Sequence, residues 1–266
     1  MMAEHLLDAR DLRVGYGRKN PVEVVHGVSL TLDAGEFLCI IGPNGCGKTT
    51  TLKALMGLLP VLGGTVTVAG EEVGGMPERE LARRFAYIPQ AHTPPFPFTV
   101  ADVVLMGRTP YVNRLARTTE HDRLVAYKAL KLLGIDDLAD KAYTNLSGGQ
   151  QQLVLIARAL TQQSDILVMD EPTAALDFGN QQLVLSRMRM LSRMGKGVIM
   201  VTHDPDHALY CADRVIVMES GVVIEEGAPA DCITSEIIER IYHIQARVLD
   251  TEVEPGVFKR VCVPLS

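Results

Sequence analysis

Two kinds of hydrophobic pattern along the chain predict two kinds of β-strand. Apolar and polar residues alternate at 5–14 and 22–32, as they do in strands that bury only one face. Continuous apolar runs without this alternation lie at 37–41, 166–169 and 198–201. Such runs are typical of parallel strands that helices cover on both faces. The chain is therefore expected to combine half-buried strands with the strands of a buried parallel sheet.

Helical periodicity occupies most of the sequence between these strands. It is found at 100–133, 148–161, 180–194 and 205–211. Strands and helices that alternate in this way predict an α/β fold. The composition changes before the first of these helices, because residues 93–99 contain three prolines and two phenylalanines. Prolines at this density preclude a regular helix or a central strand.

A glycine-rich stretch connects the apolar run at 37–41 to a helical segment. It reads Gly-Pro-Asn-Gly-Cys-Gly-Lys-Thr-Thr and fits the pattern G-x-x-x-x-G-K-[ST]. A strand, a glycine-rich turn and a helix form the context in which this pattern binds phosphate. We therefore predict a phosphate-binding loop. The residues expected to form it are Gly42, Pro43, Asn44, Gly45, Cys46, Gly47, Lys48, Thr49 and Thr50.

The chemistry of phosphate binding explains the residue types of this loop. Its glycines let the backbone curl, so that successive N–H groups point at the phosphate oxygens. The helix that follows adds its unsatisfied amides and the positive end of its dipole. Lys48 can reach the outer phosphates, and the Thr49 hydroxyl can hold Mg²⁺. The loop predicts binding of a nucleoside triphosphate and leaves open what its hydrolysis drives.

Two carboxylates fit a site of this kind. Asp170 and Glu171 close the apolar run at 166–169, at the strand end where α/β sheets form ligand sites. Asp170 can bind Mg²⁺, directly or through water. Glu171 is then placed to polarise the water that attacks the phosphate.

A second anion cradle is predicted further along the chain. Ser147, Gly148, Gly149 and Gln150 open the helix predicted at 148–161. Serine and paired glycines at a helix start present backbone amides to an anion. Because a single nucleotide needs one such cradle, the second implies either another ligand or a nucleotide shared with another copy of the chain.

Composition and charge narrow the class of protein. The net charge of −6 argues against nonspecific nucleic-acid binding, which needs a basic surface. The five cysteines include no C-x-x-C pair, a pattern of reduced thiols and not of a zinc site or a disulfide framework. The sequence has no secretory signal and no apolar run of about 18 residues. Any membrane role is therefore expected to depend on a partner.

Six motifs, in this order and at these spacings, resemble the nucleotide-binding subunit of ABC transporters. They are the loop 42–50, Gln90, Leu146–Gln150, Ile166–Glu171, the loop 174–177 and His203. The resemblance runs from about residue 5 to residue 228. It implies an α/β phosphate-loop NTPase core with an antiparallel β lobe and an inserted α-helical lobe. Residues 1–89 and 162–228 would form the core with its β lobe, 90–161 the helical lobe, and 229–266 a short C-terminal extension.

The resemblance also implies roles for single residues around ATP and Mg²⁺. Tyr16 would stack on the adenine, as an aromatic side chain held between two glycines of a loop can do. Thr49, Gln90 and Asp170 would hold Mg²⁺. His203 would contact the γ-phosphate.

The same resemblance implies a second copy of the chain as a partner. Two copies would close head to tail on two ATP molecules, each held between Lys48 of one copy and Ser147 of the other. Asp177 would cross to the opposing copy. Catalysis would depend on Glu171, His203 and Lys48, and closure with hydrolysis would drive a rigid-body change in a further partner.

Departures from the family pattern concern two places. Cys46 stands where serine is common in this family. It is either a tolerated small residue or a redox-active thiol whose pKa Lys48 and the helix N-terminus lower. Gln151 and Gln152 follow the second cradle, where a basic residue is frequent.

Three segments resemble importers of iron-siderophores, haem and cobalamin. They are Val100–Pro110, Leu176–Gln181 and the tail Arg260–Pro264, although molybdate and tungstate importers share much of this pattern. The resemblance implies a membrane permease docked near residues 90–111 and, indirectly, a substrate-binding protein. The chain would then lie at the cytoplasmic face of the cell membrane.

Two other classes of protein share the catalytic core. A soluble ABC ATPase of iron–sulfur assembly would dock on a soluble scaffold in place of a permease. Phe96 and Phe98 could serve either partner from an exposed surface, or could pack beneath a neighbouring lobe. ABC proteins of DNA repair or translation normally carry long insertions or tandem cores, which this compact, acidic chain does not have.

Overall fold

The structure is a computed structural model that describes residues 5–17, 19–89, 98–112 and 118–265, and its chain divides into two units. The first unit contains the residues up to Gly75 and those from Ile199 onward. The second contains Met76–Val198.

Strands and helices alternate through the described ranges. In chain order the strands are β1 (Leu7–Tyr16), β2 (Val22–Leu32), β3 (Phe37–Ile41), β4 (Val61–Val68), β5 (Glu71–Glu72), β6 (Phe85–Ile88), β7 (Ile166–Asp170), β8 (Gly197–Val201), β9 (Arg214–Glu219), β10 (Val222–Gly227), β11 (Ala246–Glu254) and β12 (Val257–Pro264). The helices are α1 (Lys48–Leu55), α2 (Glu78–Arg84), α3 (Val100–Leu105), α4 (Glu120–Leu132), α5 (Gly148–Thr161), α6 (Phe178–Arg193), α7 (Pro205–Cys211), α8 (Pro229–Cys232) and α9 (Ser235–Tyr242).

The first unit contains an antiparallel sheet with the strand order β2-β1-β4-β5. The central strand β1 pairs antiparallel with both neighbours, so that Leu7 lies opposite Leu32 on one side and Val68 on the other. The apolar positions of its alternating pattern, among them Leu12 and Val14, are buried. The antiparallel β lobe implied by the sequence is thereby confirmed.

Four further strands follow the order β10-β9-β3-β8, and β9, β3 and β8 among them are largely or fully buried. Strand β3 runs parallel to β9, with Ile40 opposite Ile216, while β10 returns antiparallel to β9. All five residues of β3 are buried, as the continuous apolar run predicts. The phosphate loop begins directly where this fully buried strand ends, so its first residue is anchored by the core.

In the second unit, β6 runs parallel to β7 and helix α5 packs against α3 and α4. Helical periodicity at 100–133 predicts one continuous helical stretch, and the structure interrupts it. Helix α3 ends at Leu105, a short 3₁₀ turn follows at Met106–Arg108, and α4 begins only at Glu120. A side chain at Gly107 would place its Cβ 2.2 Å from the Arg158 carbonyl oxygen, so this turn lies directly against α5.

A buried ion pair holds this interruption in place. Arg108 donates through Nε to Asp122 Oδ1 at 2.9 Å and through Nη1 to the Thr161 carbonyl at 3.1 Å. Its guanidinium carbon lies 4.1 Å from the ring centroid of Tyr111. Hydrogen bonds from Thr119, and then from Arg108, lower the pKa of Asp122 to about 2. The charged form of the carboxyl group is thus the one that the fold stabilises.

Replacing Asp122 by asparagine is expected to lower the free energy of unfolding by about 3 kcal/mol near pH 7, because Arg108 loses its buried counter-charge. A carboxyl group with a lowered pKa contributes its full stabilisation above its unfolded pKa of about 4. That contribution is lost as the pH falls towards the folded value of about 2. Urea unfolding of both proteins from pH 7 to pH 2 measures this difference.

The matched control is Asp137→Asn, which removes an exposed carboxylate in the same unit. Its unfolding free energy is expected to stay close to the wild type at every pH. A difference for Asp122→Asn that stays constant down to pH 2 would contradict the assigned ion pair.

Candidate functional site

The phosphate loop lies between β3 and α1, and Lys48 is folded back across it. The Lys48 Nζ atom donates to the carbonyl oxygens of Gly42 at 2.7 Å and Pro43 at 2.9 Å. The lysine is only 5% exposed. The positive charge is therefore held inside the curl of the loop, at the place where anionic oxygens would bind.

Glycine is required at two positions of this loop. A Cβ at Gly42 would lie 2.2 Å from the Met218 carbonyl oxygen and 2.9 Å from the Cys46 Sγ atom. Gly47, which caps α1, has φ of 106°, in the region that residues with a side chain rarely adopt. A side chain at either position would therefore strain the loop.

The start of α1 has the properties of an anion site. Its N-cap residue, Gly47, has no side chain to cap the helix, and the first turn has no acidic residue. Most of the other described helices begin with an N-cap residue whose side chain accepts a hydrogen bond from the first turn. These N-cap residues are Thr99, Thr119, Ser147, Asp177, Asp204 and Thr234. A helix start with glycine as its N-cap, next to a buried lysine, fits the β- and γ-phosphates of a nucleotide.

Cys46 is buried in the loop, and the hypothesis of a lowered pKa is wrong. Burial raises the pKa of its thiol, and the nearby charge of Lys48 opposes this effect only in part. Thiol reactivity depends on the thiolate form, which a raised pKa disfavours. The structure thus favours the other interpretation, a small residue tolerated in place of serine.

Tyr16 ends β1 close to the same helix. Its ring is 47% exposed, and its hydroxyl oxygen lies 3.1 Å from the hydroxyl oxygen of Thr50. This hydrogen bond fixes the tyrosine beside α1 and leaves much of the ring open to solvent. Stacking of an adenine on that ring stays a prediction, with which the exposure is compatible.

Asp170 and Glu171 lie at the end of the buried strand β7. Asp170 is 7% exposed, and the Tyr87 hydroxyl donates to its Oδ2 atom at 3.4 Å. Burial, followed by the charge of Asp170, raises the pKa of Tyr87 to about 12. Tyr87 therefore stays a neutral donor to the carboxylate. No sequence pattern predicts this partner, because it is the pairing of β6 with β7 that brings Tyr87 near Asp170.

Glu171 has an uncommon backbone conformation. Its φ is 49°, in the left-handed region that is sparsely populated by residues other than glycine. The turn after it is closed by a hydrogen bond from the Ala174 amide to the Glu171 carbonyl. Strained backbone of this kind is found at functional sites, where it fixes the direction of a side chain.

The second anion cradle forms a capping box, which the sequence analysis missed. The Ser147 Oγ atom accepts from the Gln150 amide at 3.3 Å, and Gln150 Oε1 accepts from the Ser147 amide at 3.1 Å. The spacing S-x-x-Q at the start of a helix is the signal that predicts it. The Ser147 hydroxyl keeps its own proton to donate to an anion. A side chain at Gly149 would place its Cβ 3.2 Å from the Ala175 carbonyl oxygen.

The side chains of Gln151 and Gln152 form hydrogen bonds to backbone carbonyl groups of the second unit. The side-chain amide of Gln151 donates to the Tyr143 carbonyl at 3.2 Å, and that of Gln152 to the Pro89 carbonyl at 3.3 Å. The residue after Pro89 is Gln90, the predicted Mg²⁺ ligand, which lies outside the described residues. The two glutamine side chains that follow the second cradle are thus engaged in hydrogen bonds within the second unit.

Asp177 caps helix α6, which begins at Phe178, two residues before the predicted start. Its Oδ1 atom accepts from the Asn180 amide at 2.8 Å, and its Oδ2 atom accepts from the Asn180 side chain at 3.1 Å. Phe178 next to it is 78% exposed. The predicted contact of Asp177 with a second copy stays a prediction, because the cap supplies a local role for this carboxylate.

His203 is exposed on the segment between β8 and α7. The Thr202 amide before it donates to the Ile40 carbonyl of β3 at 3.2 Å, which fixes this segment beside the strand that leads into the phosphate loop. His207, buried on α7, was not singled out from the sequence. Burial lowers its pKa, and its Nε2 atom lies 3.3 Å from Asp204.

The chain combines a glycine loop around a buried lysine, a helix start without a side-chain cap, and carboxylates at the end of a buried strand. These features define a phosphate-loop nucleotide-binding protein. The family model for ABC transporters matches residues 25–174, which is more than half of the chain. The chain belongs to the ABC transporter family, and the predicted fold class is confirmed. As the ATP-binding subunit of that family, it is an ATPase.

Two curated relatives extend this similarity over most of the chain. The Hemin import ATP-binding protein HmuV of Nocardia farcinica is 41% identical over 227 residues, which are 85% of this chain and 78% of that protein. The Ferric enterobactin transport ATP-binding protein FepC of Escherichia coli is 36% identical over 261 residues, which are 98% of this chain and 94% of that protein.

Solved structures agree with this assignment. A metal-chelate type ABC transporter in an inward-facing conformation superposes with a TM-score of 0.85 and 31% identity, over 98% of each chain. A dimeric ATP-binding cassette in a post-hydrolysis state with ADP and Pi superposes with a TM-score of 0.75 and 28% identity, over 84% of this chain and 98% of that one. Within the described ranges, no helix is both long and apolar enough to cross a membrane.

Proposed function

We propose that this ATPase powers the import of a metal chelate through a membrane permease. The start of α1 carries the nucleotide part of the proposal, because a helix N-terminus capped by glycine and the buried Lys48 are suited to the phosphates of a nucleoside triphosphate. The transport part is supported by the relatives that act in hemin and ferric enterobactin import. The subunit would then act at the cytoplasmic face of the membrane, where ATP is available.

The chemistry of the described residues fits Mg²⁺-ATP. Thr49 and Asp170 offer a hydroxyl and a carboxylate oxygen, the hard ligands that Mg²⁺ shares with phosphates, and Gln90 would add an amide oxygen. The metal would neutralise charge that develops on the phosphates. Glu171 would accept a proton from the attacking water, and His203 would donate a hydrogen bond to the γ-phosphate.

Two copies of the chain are proposed to share each nucleotide. The cradle at Ser147 supports this proposal, because its hydroxyl proton and the amides of Gly148 and Gly149 can serve a second phosphate group. The structural relative with ADP and Pi is a dimer. We infer that Lys48 of one copy and Ser147 of the other hold the same ATP, and that Asp177 lies near this interface.

A groove in the second unit supports docking of the permease near residues 90–111. Its volume is about 980 Å³, and Phe98, Leu105, Met106 and Pro110 contribute to its lining. The guanidinium of Arg79 donates to the Pro110 carbonyl at 2.9 Å and so fixes the rim. A groove lined by both apolar and polar side chains fits an amphipathic helix. Phe98 lines this groove, while Phe96 lies outside the described residues.

Replacing Met106 by glutamate is expected to weaken permease docking about tenfold or more, because a charge would then be desolvated at the interface. Met106 is 40% exposed and lies away from the phosphate loop in sequence, so ATP binding by the isolated subunit should be unchanged. Co-purification of the variant with its membrane partner measures docking.

Leu124→Glu is the matched control, because Leu124 is also exposed but does not line the groove. It should retain docking. Equal retention of the membrane partner by both variants would exclude the groove as the docking site.

Uptake of labelled compounds by cells that lack the gene tests which compound the transporter imports. We expect loss of uptake of one metal chelate, such as a ferric siderophore, haem or cobalamin, with molybdate and tungstate uptake intact. Wild-type protein should restore uptake and Glu171→Gln should not. Loss of molybdate or tungstate uptake alone would favour the oxyanion importers. A defect confined to iron–sulfur enzymes would favour the soluble ATPase of iron–sulfur assembly.

A further inference from the structure

The residues after β10 fold back onto the first unit, to which they belong. Helix α9 precedes a hairpin in which β11 and β12 pair antiparallel from Ala246 and Pro264 onward. The Cys262 amide of β12 donates to Asp206 Oδ1 on α7 at 2.8 Å, and the Val248 amide donates to Ser235 Oγ at 3.0 Å. An isolated two-stranded hairpin is marginally stable, so these bonds explain how this C-terminal extension keeps its place.

Helix α9 directs its last residue towards the phosphate loop. Ile238 and Ile241 are buried and fix the apolar face of the helix. His243 then ends the helix in a left-handed conformation, with φ of 56°. Tyr242, in the last turn, lines a cleft of about 480 Å³ that Pro43 and Asn44 of the phosphate loop also line.

The hydroxyl group of Tyr242 is buried against the first residue of that loop. Among the described residues it has no hydrogen-bond partner of good geometry. Burial raises its pKa far above the ordinary value, and the backbone amide of Gly42 opposes this shift, so that amide lies close to the phenol oxygen. The carbonyl of Gly42 accepts the bond from Lys48. Tyr242 and Lys48 therefore both lie next to Gly42, the first residue of the phosphate loop.

The cleft also contains the residues that begin α7. His203, Asp204 and Asp206 line it together with Tyr242. Asp206 is the residue that anchors β12. The C-terminal extension thus lines one cleft with both segments that the proposed mechanism assigns to the phosphates, the loop after β3 and the loop after β8.

We propose that Tyr242 is a positioning residue for the phosphate loop, and that through it the C-terminal extension sets the affinity for nucleotide. This inference rests on the proposed ATP site. A loop rich in glycine loses much conformational freedom when it closes on a ligand. An aromatic side chain that lines one cleft with Pro43 and Asn44 and has its hydroxyl near the Gly42 amide restricts the free loop beforehand. Pre-ordering of this kind strengthens binding.

Nucleotide binding by tyrosine variants tests the proposal. Tyr242→Ala is expected to raise the Kd for a non-hydrolysable ATP analogue with Mg²⁺ about tenfold, as the loop loses its packing partner. The KM for ATP should rise by a similar factor, while kcat at saturating ATP changes less than about threefold, because only the binding step is weakened. Tyr242→Phe keeps the ring and should recover most of the affinity.

The control is Tyr127→Ala, which removes an exposed tyrosine ring from α4 in the other unit. It should leave Kd and KM at the wild-type values.

Thermal unfolding identifies folded variants, and if Tyr242→Ala does not fold, Tyr242→Leu takes its place and should show the same rise in Kd. A Kd at the wild-type value in a folded Tyr242 variant overturns the inference. A fall in kcat with the KM unchanged also overturns it, because it would assign Tyr242 a structural role only. Failure of the wild type itself to bind the analogue would instead overturn the proposed function.

Discussion

Glu171→Gln is expected to bind ATP, to dimerise on it and to hydrolyse it at least about a hundred times more slowly than the wild type, the contribution of a general base. Glutamine has the shape of glutamate and can adopt the same conformation at φ of 49°. The variant therefore keeps the geometry of the strand end but cannot accept the proton of the attacking water. Phosphate release measures turnover, and light scattering after gel filtration with Mg²⁺-ATP measures the dimer.

A second glutamate provides the comparison. Glu120 is exposed at the start of α4, and Glu120→Gln should hydrolyse ATP at the wild-type rate. The isolated Glu171→Gln protein is expected to remain a monomer without nucleotide, so that the dimer reports on ATP. Hydrolysis by Glu171→Gln at the wild-type rate would remove this residue from the role of base.

Lys48→Ala should abolish nucleotide binding or weaken it about a hundredfold or more, a loss of roughly 3 kcal/mol. The charge of Lys48 is buried, and its two hydrogen bonds to Gly42 and Pro43 hold the loop closed. Alanine removes both the charge that faces the phosphates and the link that orders the loop. Titration with a fluorescent ATP analogue measures the Kd.

Lys53→Ala is the matched control, because Lys53 lies in the last turn of the same helix. It tests whether the loss of any positive charge from α1 is enough to weaken nucleotide binding. Similar losses of affinity in the two variants, or wild-type binding by Lys48→Ala, would contradict the assigned phosphate loop.

Local patterns predicted those parts of the fold that local physics determines. Helix α5 has the predicted bounds, 148–161, because Ser147 and Gln150 cap its start. Strand β3 and the loop after it were predicted because a buried apolar run and a glycine motif are adjacent in sequence. The residues of the phosphate loop follow from that motif alone, without knowledge of the rest of the chain.

Contacts between distant parts of the chain could not be predicted in this way. The interruption between α3 and α4 depends on the buried pair of Arg108 and Asp122 and on close contact of Gly107 with α5. The sequence leaves two interpretations of Cys46 open, because its charged neighbour is visible in the sequence and its burial, which raises the pKa of the thiol, is not. A role for Tyr242 could not be predicted for the same reason, because this residue lies near the phosphate loop only in the folded chain.

Mixed dimers test most directly whether two copies share each ATP. One subunit carries Lys48→Ala, the other carries Ser147→Arg, and both carry Glu171→Gln so that bound ATP persists. Neither subunit should form an ATP-bound dimer with itself, because each lacks one half of every shared site. The account predicts that the mixture forms a dimer that retains a single ATP, between the intact Lys48 of one copy and the intact Ser147 of the other. An ATP-bound dimer of the Ser147→Arg subunit alone, or no dimer in the mixture, would contradict it.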